Sequence, residues 1–376
     1  MDSLNKLRED INLIDKELVK LFEKRIEKVI KISKYKNENN LPIFNQNREE
    51  EIIKRNIENK EESTKLLIKN FLKYIMDVSK DVQRDKVSQN KEVDVINYKK
   101  CKPIVGFQGE KGSFSEQALL NYFGKDISTR NLTEFEDVFT AIKSNEIDYG
   151  VIPIENSSTG GISDIYDLLR KYGFQIIAEK CIKVDHNLMA VKGTRIEDIV
   201  EVYSHSQAFK QSSDFFKEYP NFKLIPYKNT ATSAKFIKES GSKEKAAVAS
   251  KEAGRVYGLE ILKSNINNNK NNYTRFMIVG KDLEVNDNCD KVSIIISTPH
   301  RPGALFNILR YFSKHNINML KIESRPIINK PWEYFFYIDF EGNLNDEKII
   351  KAVDLIKEES SYFKMLGNYK SDSNLN

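Results

Sequence analysis

The first 88 residues carry a helical pattern of apolar positions and contain almost no glycine. Apolar or seam positions recur at steps of three and four, loosening after Arg25: Leu4, Leu7, Ile11, Ile14, Leu18, Leu21, Arg25, Ile32 and Tyr35. This pattern predicts one helix over about residues 3–37, ended by the segment before Pro42, and further helices at about 46–59 and 63–84. A helix ~50 Å long cannot bury such a stripe by itself, so we expect a second copy of the chain against it.

Alternating strands and helices are predicted over residues 103–281, after a polar stretch at 85–102 that is typical of a linker. The strand-like runs are 104–107, 149–154, 176–184, 200–203, 246–249 and 276–279. Helical patterns lie between them, at 115–123, 134–144, 162–172, 207–218, 231–239 and 250–257. This alternation indicates α/β layers with parallel sheets, arranged as two lobes around a cleft.

The last segment, 290–370, is predicted to be a compact α+β domain. Strands are expected at 292–297, 319–327, 333–341 and 362–369, with helices at 304–315 and 345–359. Their order, βαββαβ, is the ferredoxin-like arrangement. The final residues, 371–376, are expected to be disordered. The fold class is therefore multi-domain, with all-α, two-lobed α/β and α+β parts in that order.

Composition and charge exclude several classes of protein. Apolar residues make up 40% and charged residues of both signs 31%, which excludes a collagen-like or wholly disordered chain. No apolar run approaches the roughly 18 residues of a membrane span, and the N-terminus has no secretory pattern, so we expect a cytoplasmic protein with no membrane partner. Three scattered cysteines predict neither a disulfide framework nor a metal site. The net charge of +5, without a basic stripe interleaved with aromatics, favours small anionic ligands over nucleic acid.

Cations interrupt the apolar stripe of the first helix. Arg25 falls in the heptad series with Leu4 and Ile32, where an arginine is costly unless an anion meets it. Arg8 and Lys36 each lie four residues beyond a member of that series and share its face. The spacing alone leaves two interpretations open, an anion site or cations reaching past a dimer seam to solvent.

This segment resembles the all-helical chorismate mutases, in which cations along the first helix precede Arg-Glu in the second and Ser and Gln in the third. The matching residues are Arg8, Arg25, Lys36, Arg48, Glu49, Ser79 and Gln83. Asn45 stands where the family usually has Asp. The resemblance implies that residues 1–88 bind chorismate and rearrange it to prephenate without a cofactor, with Arg8 reaching across from a second subunit. It also implies that the arginines hold carboxylates, that Lys36 and Gln83 donate to the ether oxygen, and that Glu49 takes the substrate hydroxyl.

Polar residues follow four strands of the middle segment. They lie in the stretches 109–115, 153–161, 203–207 and 229–234. Each stretch alone is compatible with a simple helix cap, and the first lacks the spacing of a dinucleotide or Walker loop. Because ligands bind where the strands of α/β sheets end, the four together indicate a binding cleft.

With Thr274-Arg275-Phe276, these stretches resemble prephenate dehydratase over residues 103–281. The resemblance implies two lobes like those of periplasmic binding proteins and conversion of prephenate to phenylpyruvate. Thr274 is then the essential hydroxyl, with His205 as the other candidate proton donor. The remaining expected substrate residues are Ser113, Glu155, Asn156, Ser204, His205, Gln211, Arg275 and Phe276. Whether Arg275 holds a carboxylate or is structural stays open, and Ser206 replaces the family's usual proline.

The motifs of the last segment resemble the ACT regulatory domain. The expected phenylalanine-binding residues are Gly303, Ala304, Leu305, Phe306, Glu323, Ser324, Arg325 and Pro326, with Phe306 replacing the family's Val. A dimerisation module without ligand is the alternative. The three segments in this order resemble the bifunctional chorismate mutase/prephenate dehydratase family, which implies a homodimer or higher homo-oligomer inhibited by L-phenylalanine. Two other interpretations stay open: an inactive mutase half kept for dimerisation, and a non-catalytic amino-acid sensor.

Overall fold

The chain folds into two compact units, Met1–Val93 and Asp94–Asn376. The computed structural model describes residues 2–39, 41, 46–85, 103–328 and 330–372. Pro42, Asn45, most of the expected linker and residues 373–376 of the expected disordered tail lie outside the described residues. In these described ranges, no helix combines the length and the apolar character that a membrane span requires.

The first unit contains the three helices expected from the sequence. They are α1 (Asp2–Glu38), α2 (Gln46–Ile57) and α3 (Glu62–Asp85). The second half of α1 packs on α3, where Val29 and Met76 are buried. The first half of α1 keeps its apolar stripe in solvent, with Leu4, Leu7 and Ile11 each more than half exposed.

The second unit contains fifteen strands and nine α-helices among its described residues. The strands are β1 (Ile104–Gln108), β2 (Ser128–Leu132), β3 (Tyr149–Asn156), β4 (Gly160–Gly161), β5 (Gln175–Lys183), β6 (Asn187–Ala190), β7 (Glu201–Ser204), β8 (Lys223–Pro226), β9 (Lys245–Ala249), β10 (Glu260–Lys263), β11 (Tyr273–Gly280), β12 (Lys291–Ser297), β13 (Met319–Ile327), β14 (Lys330–Glu341) and β15 (Tyr362–Tyr369). The helices are α4 (Phe114–Phe123), α5 (Phe135–Lys143), α6 (Ser163–Tyr172), α7 (Ser206–Gln211), α8 (Ser213–Lys217), α9 (Thr230–Ser240), α10 (Lys251–Tyr257), α11 (Ala304–Lys314) and α12 (Glu347–Glu359).

Two lobes form the part between residues 103 and 281, as expected. The first lobe has the strand order β2-β1-β3-β11-β5, with β4 paired to β3, and the second has β10-β6-β9-β7-β8. The chain enters the second lobe between β5 and β6 and returns between β10 and β11. The expectation of parallel sheets is correct for some pairs, such as β1–β3 and β7–β9, but the sheets are mixed, because β11 runs antiparallel to both β3 and β5. Its first residues pair with the last residues of β3, so the returning strand starts at the end of the sheet where β3 stops.

Besides the two-residue β4, four strands were not foreseen: β2, β6, β8 and β10. Each is only four or five residues long, and such short segments carry weak periodicity. The helix expected over 207–218 is two short helices, α7 and α8, which meet at the fully buried Ser212.

The last segment has the expected βαββαβ order, with the strand order β13-β14-β12-β15. Helices α11 and α12 cover one face of this sheet. The opposite face packs on the first lobe, where Ile295, Phe335 and Tyr337 share a core with Ile165 and Leu169. The close approach depends on Gly367, because a Cβ atom there would lie 2.1 Å from the carbonyl oxygen of Ile176. The two expected domains, 103–281 and 290–370, are thus joined by one continuous core.

Candidate active and regulatory sites

Arg25, the charged member of the α1 stripe, is bound by α3. Its Nη1 donates to the hydroxyl of Ser79 and lies 3.3 Å from the carbonyl oxygen of Ile75. Ser79 in turn donates to the same carbonyl over 2.6 Å. Burial lowers the pKa of the Arg25 guanidinium. Arg25 therefore presents a partly desolvated, positioned cation at the α1–α3 contact, as an anion site requires.

Gln83 lies one turn further along α3 and is 7% exposed. Its main-chain oxygen accepts a hydrogen bond of 3.2 Å from Ser33, while its side-chain Oε1 is buried and accepts no hydrogen bond from the residues that the structure describes. Lys36 follows Ser33 by one turn of α1 and is half-buried. Arg25 of α1 therefore contacts Ser79 of α3, and Lys36 lies one turn beyond Ser33, which bonds the main chain of Gln83.

Helix α2 brings Glu49 to α3 through Lys80, a residue that the sequence did not single out. The ammonium of Lys80 lies 3.2 Å from Glu49 Oε1 and 2.7 Å from Asp77 Oδ1. Burial by itself would lower the pKa of Lys80, but the hydrogen bonds and charges of Asp77 and Glu49 raise it. A basic residue next to Ser79 was the signal available in the sequence.

The other two arginines of the expected mutase set are exposed. Arg48 bonds Glu51 over 2.6 Å on the surface of α2. Arg8 lies about 25 Å before Arg25 along α1, at about 1.5 Å per residue, so the same chain does not bring it to the α1–α3 contact. Asn45, the remaining member of the set, is outside the described residues.

Thr274 lies at the start of β11, directly opposite Asn156 at the end of β3. The Asn156 side-chain amide donates to Thr274 Oγ1 over 2.9 Å, to Asn272 Oδ1 over 2.9 Å and to the Tyr273 carbonyl over 3.0 Å. Its own oxygen accepts a hydrogen bond of 3.0 Å from the main chain of Ser158. Asn156 is therefore fixed at both ends, and it holds the threonine hydroxyl at the junction of the two lobes.

Glu155 and Arg275 form the next pair in the same register. Their side chains project from the opposite face of the sheet to those of Asn156 and Thr274. The Arg275 side chain is 13% exposed and bonds three carboxylates: Glu155 at 2.9 Å, Glu179 at 3.2 Å and Asp339 at 2.9 Å. Asp339 belongs to β14 of the last segment. The structure thus places Glu155 and Arg275 in an ion cluster between the first lobe and the ACT-like sheet, on the far side of the strands from Thr274.

Several other expected substrate residues have structural partners. The hydroxyl of Ser113 caps α4 through the amide of Glu116, and Nδ1 of the exposed His205 caps α7 through the amide of Gln207. Ser204 is fully buried and donates to the Val248 carbonyl over 2.7 Å. Phe276 is buried in the core of the first lobe. The structure therefore brings Thr274 and Asn156 together and places these four residues in caps or core.

Gln211 contacts a histidine that the sequence did not single out. Its Oε1 lies 3.0 Å from Nε2 of His186, in the crossing between the lobes. His186 is 3% exposed, and burial lowers its pKa although the hydrogen bond to Gln211 Oε1 raises it. The ring packs edge-on to Phe114 with 6.2 Å between centroids. The polar run around His186, between two apolar strands, was the signal that could have found it.

The ACT-like segment contains a cavity of about 580 Å³ beside the start of α11. Gly303, in a left-handed conformation at φ 79°, opens the helix, and Ala304, Leu305 and Phe306 line the cavity. Three aromatic residues of β14 that the sequence did not single out complete the wall: Trp332, Tyr334 and Phe336. Phe306 and Trp332 are 68% and 80% exposed, so the cavity is open on one side.

The second expected group, Glu323 to Pro326, alternates between the two faces of β13. Arg325 donates to Asp167 of the first lobe over 3.0 Å, and Glu323 lies close to Gly161. Ser324 and Pro326 point to the other face and are exposed. These four residues do not line the cavity at Gly303 in the single chain.

Comparisons with known proteins agree with the three-part organisation. Residues 7–84 match chorismate mutase type II, residues 105–284 match prephenate dehydratase and residues 292–354 match the ACT domain. The chain is 34% identical over 383 residues to the bifunctional chorismate mutase/prephenate dehydratase of Buchnera aphidicola subsp. Acyrthosiphon pisum (strain APS), covering 99% of this chain and 97% of that protein. The resemblances drawn from the motifs are confirmed, in the predicted order.

Two solved structures resemble the second unit. The prephenate dehydratase of Arthrobacter aurescens in complex with L-Phe is 29% identical, has a TM-score of 0.66 and covers 71% of this chain and 89% of that one. GqqA, described as a novel type of quorum quenching acylase, is 26% identical with a TM-score of 0.67 and covers 73% of this chain and all of that one.

Proposed function

The chain belongs to the family of bifunctional chorismate mutase/prephenate dehydratases, and we propose that it rearranges chorismate to prephenate and converts prephenate to phenylpyruvate, with L-phenylalanine as inhibitor. One observation carries the proposal. A single chain combines three buried or half-buried polar side chains of α1 and α3, namely Arg25, Lys36 and Gln83, with a positioned Thr274 hydroxyl between two lobes. We call the proposed binding region at these three residues the groove. The groove suits a small dicarboxylate, and the hydroxyl suits a leaving group that needs a donor.

For the first reaction, the groove on α1 and α3 supplies positioning and charge. The rearrangement of chorismate is intramolecular, so the protein accelerates it by holding a compact conformer and stabilising charge on the ether oxygen. Arg25, oriented by Ser79, binds a carboxylate, while Lys36 and the Gln83 amide donate to the ether oxygen. Glu49 takes the substrate hydroxyl, and the ammonium of Lys80, 3.2 Å from Glu49 Oε1, holds the carboxylate in place. Arg48 keeps the substrate-binding role implied by the family motif, and so does Asn45, which lies outside the described residues.

We propose that the first reaction requires two copies of the chain. The N-terminal half of α1 exposes Leu4, Leu7, Ile11, Leu13, Ile14 and Leu18, and α3 exposes Leu67, Phe71 and Tyr74. An apolar face of this extent supports a homodimer. Arg8 lies within the exposed stripe, so a second copy packed along it would bring the second copy's Arg8 to the groove.

For the second reaction, Thr274 acts as hydrogen-bond donor to the departing hydroxyl of prephenate. A threonine hydroxyl has one proton and two acceptor sites. Because the Asn156 amide already donates to Thr274 Oγ1, the Thr274 proton is free to point toward a ligand. Loss of the ring carboxylate as carbon dioxide supplies the electron pair, and the hydroxyl leaves as water with a proton donated from the enzyme. Gln211 and His186 offer further polar groups at the lobe crossing.

For regulation, the cavity beside Gly303 binds L-phenylalanine. The main-chain amides at the start of α11 can approach a carboxylate, and Trp332, Tyr334 and Phe336 provide an apolar wall for an aromatic ring. The exposed Ser324 and Pro326 on β13 fit a role in closing the cavity from a neighbouring ACT segment.

We place the enzyme in the cytoplasm, which agrees with the two buried free cysteines, Cys181 and Cys289.

The test is to assay the purified full-length chain for chorismate and prephenate turnover, with and without L-phenylalanine. Both turnovers, with the second inhibited by L-phenylalanine, are expected. Prephenate turnover alone would indicate that the mutase half serves only dimerisation. Phenylalanine binding without either turnover would indicate a sensor and would overturn the proposal.

A further inference from the structure

A cluster of buried and partly buried charges lies behind the strand that carries Thr274. We call the Arg275 cluster the set of side chains joined by ion pairs around that arginine: Arg275, Glu155, Glu179, Asp339, Lys291 and Lys321. Besides the three bonds of Arg275, Lys291 lies 2.6 Å from Glu179 and Lys321 lies 2.8 Å from Glu155. The cluster has three cations and three carboxylates, so its charges balance.

The members of the cluster come from both halves of the second unit. Glu155, Glu179 and Arg275 belong to strands of the first lobe, whereas Asp339, Lys291 and Lys321 belong to the ACT-like sheet. Asp339 is further fixed by the hydroxyl of Ser293, which donates to it over 2.6 Å. An unpaired buried charge is strongly destabilising. The charges of the first lobe and those of the ACT-like sheet therefore need each other as partners in order to be buried.

The cluster is connected to Thr274 by a short and irregular piece of backbone. Thr274 pairs with Asn156 and Arg275 with Glu155, but the register between β3 and β11 shifts directly after Arg275. Such a bulge weakens the regular ladder and re-aims neighbouring side chains. The ion pair between Arg275 and Glu155 links β11 to β3 next to this bulge. It is one residue along each strand from the Asn156–Thr274 hydrogen bond.

From these contacts we infer that Arg275 and Asp339 are positioning residues for dehydration: Asp339, from the ACT-like sheet, holds Arg275, and Arg275 with Glu155 holds the β3–β11 bulge that aims the Thr274 hydroxyl. Neither side chain lies on the face of the sheet that carries Thr274. The inference rests on the proposed role of Thr274. It makes the ACT-like segment a part of the dehydratase scaffold in addition to a regulatory module.

The test is Asp339→Asn in the full-length chain, alone and combined with Thr274→Val. Asparagine keeps an acceptor for Arg275 and removes the charge that holds it. The single variant Asp339→Asn is expected to lower kcat for prephenate about 10-fold or more, because the Thr274 hydroxyl is no longer oriented toward the substrate. Its KM should change less than about twofold, because substrate binding is retained. Combined with Thr274→Val it should lower kcat no further, since the hydroxyl that it positions is then absent.

Tyr337→Phe is the matched control. It removes a hydrogen bond of 2.8 Å between Tyr337 and the Tyr166 carbonyl, across the same boundary between lobe and ACT-like sheet, without removing an ion pair of Arg275. Its kcat should stay within about twofold of wild type in both backgrounds. Unchanged chorismate turnover would report an intact first unit in every variant.

Two results would overturn the inference: wild-type kcat in Asp339→Asn, or the same loss of kcat in the presence and absence of the Thr274 hydroxyl. Full activity of Thr274→Val by itself would instead refute the proposed role of Thr274, a separate result that needs no change at Asp339. If Asp339→Asn does not fold, Ser293→Ala is the milder variant, because it removes only the hydrogen bond from Ser293 to the Asp339 carboxylate. It is expected to lower kcat about threefold, and to have no effect on kcat when Thr274→Val is also present.

Discussion

The side-chain amide of Asn156 lies 2.9 Å from the hydroxyl oxygen of Thr274, and the two residues face each other across the β3–β11 pair. Because an amide nitrogen can only donate, Thr274 Oγ1 accepts this hydrogen bond and its own proton points away from Asn156. Much of the chemistry proposed for the second unit depends on that one orientation.

Replacing Thr274 by valine is therefore expected to lower prephenate turnover by about 10² or more, with little change in the melting temperature. Valine keeps the shape and removes the hydroxyl. Thr274→Ser retains the donor and should keep most of the activity, and chorismate turnover should be unaffected in both variants. Steady-state kinetics with each substrate measure the effect. Near-normal kcat for prephenate in the valine variant would move the donor role to another residue.

In the first unit, Lys36→Ala should lower kcat for chorismate by about 10²–10³, the usual loss for one transition-state donor. Lys34→Ala is the matched control, because Lys34 is an exposed lysine of the same helix. Its rate should remain that of wild type. Equal rates for the two variants would mean that Lys36 acts only as a surface charge.

The exposed stripe of α1 leads to a prediction about assembly. Ile11→Glu places a charge on an apolar face and should convert the proposed dimer to monomers, with loss of chorismate turnover at low protein concentration. Analytical ultracentrifugation measures the first effect and an assay over a dilution series the second. Lys20→Glu alters the charge of the same helix at another exposed position and should leave the assembly unchanged. A dimer that persists in Ile11→Glu would show that the copies associate elsewhere.

Gly303→Val should weaken inhibition by L-phenylalanine about 10-fold or more while uninhibited prephenate turnover remains. A side chain at φ 79° is strained, and it would stand where a ligand carboxylate approaches the start of α11. Gly241 is also left-handed, at φ 63°, with open space around it, so Gly241→Val controls for strain alone. Calorimetric titration with L-phenylalanine and inhibition curves provide the measurements. Wild-type inhibition in Gly303→Val would locate the phenylalanine site elsewhere.

A truncation of the ACT-like segment is a less informative experiment than this point substitution. Removing it would expose the core shared by Ile165 and Ile295 and leave Arg275 without Asp339. Loss of activity in a truncated chain would then reflect a damaged scaffold as well as a missing regulatory site.

The Arg275 cluster also predicts how stability depends on pH. Although burial alone would raise them, the pKa values of Asp339 and Glu155 are held below their ordinary values of 3.8 and 4.5 by the neighbouring cations Arg275, Lys291 and Lys321 and by the Ser293 hydroxyl. A carboxylate whose pKa is lower in the folded state contributes stability that is complete above its unfolded pKa and lost as pH falls through the folded one. The melting temperature should therefore fall steeply below about pH 4.

Asp339→Asn removes one of these titrating groups, so its melting temperature should be lower than that of wild type at neutral pH and should converge with it in acid. Asp126→Asn, at an exposed position, controls for the loss of a surface charge. Thermal unfolding between about pH 7 and pH 3 measures both curves. Parallel curves for Asp339→Asn and wild type would contradict the coupling of Asp339 to stability.

The sequence by itself determined the order of the three segments, the helices of the first unit, the βαββαβ order of the last one and the candidates Thr274 and Arg25. These depend on local periodicity and on motifs within a few residues of each other, which a chain displays before it folds. The motif alone could not show that Thr274 and Arg275 have different surroundings. They are adjacent residues of one strand, so their side chains project from opposite faces of the sheet.

The tertiary structure decided which neighbours those faces meet. It paired Thr274 with Asn156 and Arg275 with Asp339, and it brought His186 to Gln211 and Trp332 to Gly303. It also inserted β11 antiparallel between β3 and β5, contrary to the expectation of parallel sheets. Such contacts join residues far apart in the chain, and they depend on the register of strands and on the packing of one layer against another. Neither is encoded in any single stretch of sequence, because each depends on the free energy of the whole packed unit.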